Sequence, residues 1–77
     1  MTERFKKEFD YNERVMEAAC LAASLGYEEG YYGNLMCENV DYCNRLRAKI
    51  KKLVGDKWPE VVMKAYSESF HEGYMDS

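Results

Sequence analysis

The sequence predicts an all-α fold of three helices, either a three-helix bundle or a helical hairpin with a third helix packed on it. Apolar residues recur every three or four positions over three stretches, and no stretch alternates with the two-residue period of a β-strand. The connections between these stretches are too short for a sheet. The chain has 77 residues, 47% hydrophobic and 32% charged, which is typical of one folded domain.

The chain begins with a predicted short amphipathic segment, separate from the first helix. Phe5 and Phe9 stand four residues apart among charged residues, which places both rings on one side of a helical turn. The first helix is then predicted over residues 12–32. Asp10 or Asn12 is its candidate N-cap.

This first helix carries two apolar stripes instead of one. One stripe consists of Val15, Ala18, Ala19, Ala22, Leu25 and Gly26, and the other of Met16, Cys20, Ala23, Tyr27 and Tyr31. Two glycines, Gly26 and Gly30, lie inside the helix at a cost of ~1 kcal/mol each relative to alanine. They indicate that another backbone or ring comes close; the alternative is that the helix stops near Leu25. Otherwise Gly33 and Asn34 are the residues expected to end it.

The second helix is predicted over residues 35–54. Met36, Cys43 and Ile50 repeat every seven residues along its apolar stripe, and Gly55 is the residue expected to end it.

The third helix is predicted over residues 57–74. Asp56 is its candidate cap and Pro59 is tolerated in its first turn. Its apolar face is wide and contains the row Tyr66, Phe70 and Tyr74.

A short pattern occurs twice, at the ends of the first and third helices. The residues from Tyr27 to Tyr31 read YEEGY, and those from Phe70 to Tyr74 read FHEGY, 43 positions later. Small residues allow helices to approach closely, and tyrosine is a common interface residue. The first helix is also apolar on nearly all sides, so it has more apolar surface than a single three-helix bundle can bury. The pattern therefore predicts a homodimer or small oligomer. The predicted interface residues are Tyr27, Gly30, Tyr31, Tyr66, Phe70, Gly73 and Tyr74. The alternative is that they are ordinary core residues and helix ends.

A basic run in the second helix is the candidate phosphate or nucleic-acid contact. Arg45, Lys49 and Lys52 share one helical face. The formal net charge of −3 and the lack of a helix-turn-helix pattern favour a solvated face instead. Nucleic-acid binding through this face is therefore an alternative function.

The residues capable of catalysis or metal binding form no recognisable motif. Cys20, Cys37 and Cys43 lack zinc or redox spacing, and His71 is the single histidine. No nucleophile with a base and no glycine-rich phosphate loop is evident. The sequence therefore predicts a non-enzymatic protein without metal or cofactor. A nucleotide-binding cleft between protomers is a further alternative.

The repeated aromatic-x-x-Gly-Tyr pattern resembles the ends of very small helical proteins encoded by tailed phages and prophages. The resemblance covers these two short stretches. It implies an accessory protein that binds a host or defence component stoichiometrically, as inhibitors of restriction or CRISPR systems do. No apolar run reaches the ~20 residues needed to cross a bilayer, and no signal peptide is evident. We therefore expect a cytoplasmic protein with a protein partner.

Overall fold

The computed structural model describes the backbone of residues 3–33 and 37–77 and the side chains of residues 10–33 and 40–77. Three α-helices account for most of it: α1 (Glu3–Tyr32), α2 (Cys37–Val54) and α3 (Glu60–Asp76). The described residues contain no β-strand. The all-α class with three helices is therefore confirmed.

Helix α1 begins well before the predicted residue 12. It runs without a break through Asp10 and Asn12, so residues 3–11 are its first turns and not a separate segment. The sequence contains no glycine or proline between Glu3 and Leu25, and each added helical residue forms one more backbone hydrogen bond. A cap-forming residue such as Asp10 therefore does not start a helix when good helix formers precede it.

Glycines with positive φ end the first two helices, as predicted. Gly33 has φ 75° and its N–H donates to the carbonyl of Glu29, while Gly55 has φ 85° and donates to the carbonyl of Lys51. Left-handed backbone of this kind carries little steric penalty only in glycine. The predicted start of helix two at residue 35, together with Asn34 and Met36, lies outside the described residues.

Helix α3 starts three residues later than predicted and ends two residues later. Pro59 occupies its N-cap position, and the Pro59 carbonyl accepts hydrogen bonds from the N–H groups of Val62 and Met63. A residue before proline avoids helical backbone, so Trp58 cannot belong to the helix. Asp56 does not cap α3; its carboxylate lies 3.2 Å from Lys51 Nζ instead.

Helix α1 is the central element of the fold. It packs against both α2 and α3, whereas no described Cα atom of α2 lies within 8 Å of a Cα atom of α3. Side chains from all three helices fill the core around α1. The buried residues are Val15, Ala18, Ala22, Leu25, Cys43, Leu46, Ile50 and Val62. The first apolar stripe predicted for α1 thus lies in the core.

Candidate protein-binding surface

The glycines of the repeated pattern bring the backbones of α1 and α3 into direct contact. A Cβ atom at Gly26 would overlap the carbonyl oxygen of Tyr66, and one at Gly30 would overlap that of Phe70. A step of four residues along α1, from Gly26 to Gly30, corresponds to a step of four residues in the same direction along α3, from Tyr66 to Phe70. The two helices therefore run parallel. Gly26 and Gly30 lie inside α1 and serve this contact, because only glycine leaves room for a neighbouring backbone at this distance.

The two copies of the pattern pack against each other reciprocally. Gly30 faces the carbonyl of Phe70 and the amide of Tyr74, and Gly73 faces the carbonyl of Tyr27 and the amide of Tyr31. Each glycine therefore meets the equivalent pair of backbone atoms in the other copy. Gly30 and Gly73 are buried within one chain, and the space they leave is occupied by backbone and not by rings.

The rings of the pattern form two separate rows. Along α1, the ring of Tyr31 lies 5.9 Å from that of Tyr27 and 4.7 Å from that of Tyr32. Along α3, the ring of Tyr66 lies 6.0 Å from that of Phe70. None of these ring contacts joins Tyr27 or Tyr31 to Phe70 or Tyr74. The interface predicted for these rings stays a prediction.

The second apolar stripe predicted for α1 remains exposed. Neither α2 nor α3 covers it, and 71% of Met16, 37% of Tyr27 and 40% of Tyr31 is accessible to solvent. Cys20 is also exposed and Ala23 is half-buried. We call these five residues the outer face of α1. On α3, Phe70 and Tyr74 are also exposed.

Carboxylates border the outer face of α1. Glu13 and Glu17 are exposed on α1 itself, and the neighbouring α3 contributes the exposed residues Glu72 and Asp76. The last turns of α1 and α3 contain no basic residue. Because the helices are parallel, the negative ends of their dipoles lie at the same end of the molecule. The ring-bearing end is therefore acidic and lacks the cations that usually balance such dipoles.

Tyr27 connects the outer face to this acidic border. Its hydroxyl donates a hydrogen bond of 3.0 Å to Asp76 Oδ2. That bond raises the pKa of Tyr27 above its ordinary value, with smaller contributions from burial and from the charges of Asp76, Tyr31 and Glu72. The hydrogen bond fixes the orientation of the ring beside the carboxylates.

Tyr66, predicted as an interface residue, is half-buried and takes part in a network that joins the three helices. Arg47 of α2 donates to Glu29 of α1, and its guanidinium lies 5.9 Å from the centre of the Tyr66 ring. Burial is the main reason why the pKa of Tyr66 is raised, and Glu29 adds to the shift. The sequence did not identify Arg47 as a residue that joins helices, because the spacing of a basic run does not indicate which of its cations contacts another helix.

The three candidate phosphate contacts lie on one exposed side of α2. Arg45, Lys49 and Lys52 are all exposed, and none of them forms an ion pair with another described residue. They lie on a different helix from the outer face of α1. The structure thus separates the basic candidate surface from the acidic one.

Cysteine and histidine side chains are dispersed over the described residues. Cys20 is exposed on α1, Cys43 is buried on α2 and His71 is exposed on α3. No three described His, Cys, Asp or Glu side chains come close enough together to hold a metal ion. The third cysteine, Cys37, has a side chain outside the described set.

None of the described helices combines the length and apolar character needed to span a bilayer. Comparison with protein families, with curated proteins and with solved structures found no match. The function must therefore be inferred from the residues of this chain.

Proposed function

We propose that this protein is a non-enzymatic binding protein whose outer face of α1 docks on a basic surface of another protein. One observation supports this most directly: a row of exposed tyrosine rings is bordered by carboxylates at the common end of two parallel helices. The rings offer large apolar area with polar edges, which suits the centre of an interface. The carboxylates and helix dipoles supply electrostatic complementarity to a cationic partner.

The charges at this surface favour a different protein over a second copy of this chain as the binding partner. Two copies docked through the same face would bring Glu13, Glu17 and Asp76 of each chain together, and like charges at an interface cost binding free energy. Arginine and lysine on a partner would instead pair with these carboxylates and stack on the rings of Tyr27 and Tyr31. The homodimer expected from the sequence stays a prediction, which sedimentation at micromolar concentration tests.

The resemblance to phage accessory proteins suggests a partner class. A host or defence protein fits the proposal if its contact surface is basic, as nucleic-acid-binding surfaces are. In that arrangement this protein would act stoichiometrically, by covering the surface.

The test uses fluorescence anisotropy with labelled peptides of opposite charge. We expect an Arg- and Lys-rich peptide to bind and an acidic peptide of equal length not to bind. Tyr31→Ala should weaken binding at least tenfold, because it removes an exposed ring from the middle of the site. Tyr42→Ala removes a similarly exposed ring from α2 and should leave binding unchanged.

Charge reversal provides the second arm. Glu17→Lys should weaken binding of the basic peptide and reduce its salt dependence. Equal binding of basic and acidic peptides, or equal loss in Tyr31→Ala and Tyr42→Ala, would contradict the assignment. A dimer that dissociates on Tyr31→Ala would assign the outer face to self-association instead.

A further inference from the structure

A second candidate site lies away from the outer face of α1, where the loop before α3 meets α2. The loop residues Lys57 and Trp58 form one side of an open cleft, and Met63 and Tyr66 of α3 form another. Arg47 of α2 lines the cleft on the side of that helix. Its volume is about 600 Å³. This lies within the ~300–1,000 Å³ of typical small-molecule sites. We call it the Trp58 cleft.

Aromatic rings form a preformed wall in the Trp58 cleft. Trp58 and Tyr66 are both half-buried and meet edge to face, with ring centroids 5.7 Å apart. Met63 beside them is 55% exposed and unbranched, so it adapts to different ligand shapes. A flat aromatic ring can place one of its faces against this wall.

The charges around the cleft favour one negative group on the ligand. Lys57 is exposed and forms no ion pair with a described residue. Arg47 is paired with Glu29 through Nη2 and also interacts with Tyr66, so a ligand anion would share the guanidinium with these two partners. The lining carboxylate, Asp56, is already paired with Lys51.

The start of α3 adds positive potential beside these cations. Its N-cap residue is Pro59, which makes no side-chain capping bond to the first N–H groups of the helix. The first two N–H groups of α3, those of Glu60 and Val61, and the helix dipole favour an anion, although the carboxylate of Glu60 in the same turn offsets part of this potential. This feature strengthens the cationic character that Lys57 and Arg47 already give the cleft.

From the cleft volume, the aromatic wall and the two cations, we propose that the Trp58 cleft binds a small molecule that combines a flat aromatic ring with one anionic group. The ligand ring stacks on one of the two rings, Trp58 or Tyr66, and meets the edge of the other, because these rings are nearly perpendicular, and the anion contacts Lys57 and Arg47. This site is independent of the protein-binding function proposed above, because it uses none of the residues of the outer face of α1.

The single tryptophan makes the test direct. Trp58 fluorescence is followed during titration with AMP and with benzoate, each beside its neutral counterpart, adenosine or benzyl alcohol. We expect saturable fluorescence changes with at least one anionic probe, at a Kd of ~1 mM or tighter. The neutral counterparts should bind at least tenfold more weakly. AMP and benzoate distinguish a phosphate-bearing ligand from a carboxylate-bearing one.

Two matched charge reversals separate local contact from general attraction. Lys57→Glu should weaken binding of the responsive probe at least tenfold. Lys64→Glu makes the same change of charge on an exposed residue of α3 that does not line the cleft, and it should alter affinity less than about twofold because solvent screens exposed charges that do not contact the ligand. Thermal unfolding should show a ligand-induced rise in Tm for the unmodified protein and for Lys64→Glu.

Three results would overturn the assignment. The first is absence of saturation by both anionic probes at ~5 mM, where even weak small-molecule sites fill. The second is equal binding of charged and neutral probes, and the third is an equal loss of affinity in Lys57→Glu and Lys64→Glu. None of these results affects the peptide-binding test of the outer face of α1.

Discussion

Gly30 determines how closely α1 and α3 approach. In an ordinary helix interior, replacing glycine by alanine stabilises the helix by ~1 kcal/mol. At Gly30 the added Cβ would overlap the carbonyl oxygen of Phe70 and lie 3.0 Å from the amide of Tyr74. We therefore predict the opposite sign: Gly30→Ala should lower the free energy of unfolding by about 1–3 kcal/mol, the usual cost of overpacking.

Urea denaturation measures this change. Ser24→Ala is the control, because Ser24 is exposed on the same helix and alanine is the better helix former. Its stability should be unchanged or slightly raised. A Gly30→Ala protein that is more stable than the unmodified chain would show that the helices are not in backbone contact.

The side-chain network between Glu29 and Arg47 is a second feature at the residue scale. The Glu29 side chain is only 12% exposed, whereas Arg47 is 47% exposed. Arg47→Met should cost about 1–2 kcal/mol, because it leaves a mostly buried carboxylate without its cation while solvent screens part of the loss. Adding Glu29→Gln should cost less than the sum of the two single changes. Strict additivity in this double-mutant cycle would mean that the pair is not coupled.

At the scale of elements, α1 packs against both α2 and α3, and its outer face is not part of either contact. Its 30 residues extend for about 45 Å, compared with about 27 Å for the 18 residues of α2. Small residues face α3, larger aliphatic residues reach the shared core, and the outer face of α1 stays in solvent. One helix therefore supplies both the core and the proposed docking surface.

Cysteine reactivity tests this division between covered and uncovered sides. Cys20 lies on the outer face of α1, whereas Cys43 is buried where α2 packs on α1. Burial is the main cause of the raised pKa of Cys43, so less of the reactive thiolate is present at neutral pH. We predict that iodoacetamide modifies Cys20 at least roughly tenfold faster than Cys43 in the folded protein, because access to Cys43 requires local opening.

Mass spectrometry of peptides cleaved after glutamate distinguishes the two sites, because Glu28 and Glu38 place Cys20 and Cys43 on different peptides, each separate from Cys37. In urea both thiols should react at similar rates, which controls for differences intrinsic to the peptides. Equal rates in the folded protein would show that α2 does not cover Cys43.

For the whole molecule, shape and charge both depart from those of a compact neutral domain. The principal extents are 48 × 22 × 16 Å, and the solvent-accessible surface is 6156 Å². A compact monomer of this mass exposes about 4,900 Å². The acidic end of α1 and α3 is separated from the exposed cations of α2. The extra surface is consistent with a chain that completes its contacts by binding another molecule.

The separation of charges also limits nucleic-acid binding, the alternative function considered from the sequence. Arg45, Lys49 and Lys52 offer three phosphate contacts at most, so the slope of log K against log salt should be no steeper than about −2.7. We predict weak binding to duplex DNA, abolished by Lys49→Glu, in a shift assay over a salt series. A steeper slope or nanomolar affinity at physiological salt would favour the nucleic-acid function over the one proposed.

The amino-acid pattern alone determined the all-α class, the three helices and the glycine ends at Gly33 and Gly55. Helical periodicity and left-handed backbone are local properties, and local properties can be read from neighbouring residues. Helix α3 starts later than the sequence predicts, because the restriction that Pro59 places on Trp58 outweighs the capping preference of Asp56. The difference concerns which of two local rules dominates.

Only the tertiary structure decided what the repeated pattern does. The sequence showed that the two copies are alike, but not that they meet each other within one chain, because contact between two copies 43 positions apart depends on how α2 returns the chain. The same holds for Arg47, which contacts Glu29 and Tyr66, whereas Arg45 and Lys49 form no such contact. Long-range packing selects which of several similar side chains contacts another helix, so the outer face of α1 and the Trp58 cleft became visible only in the folded molecule.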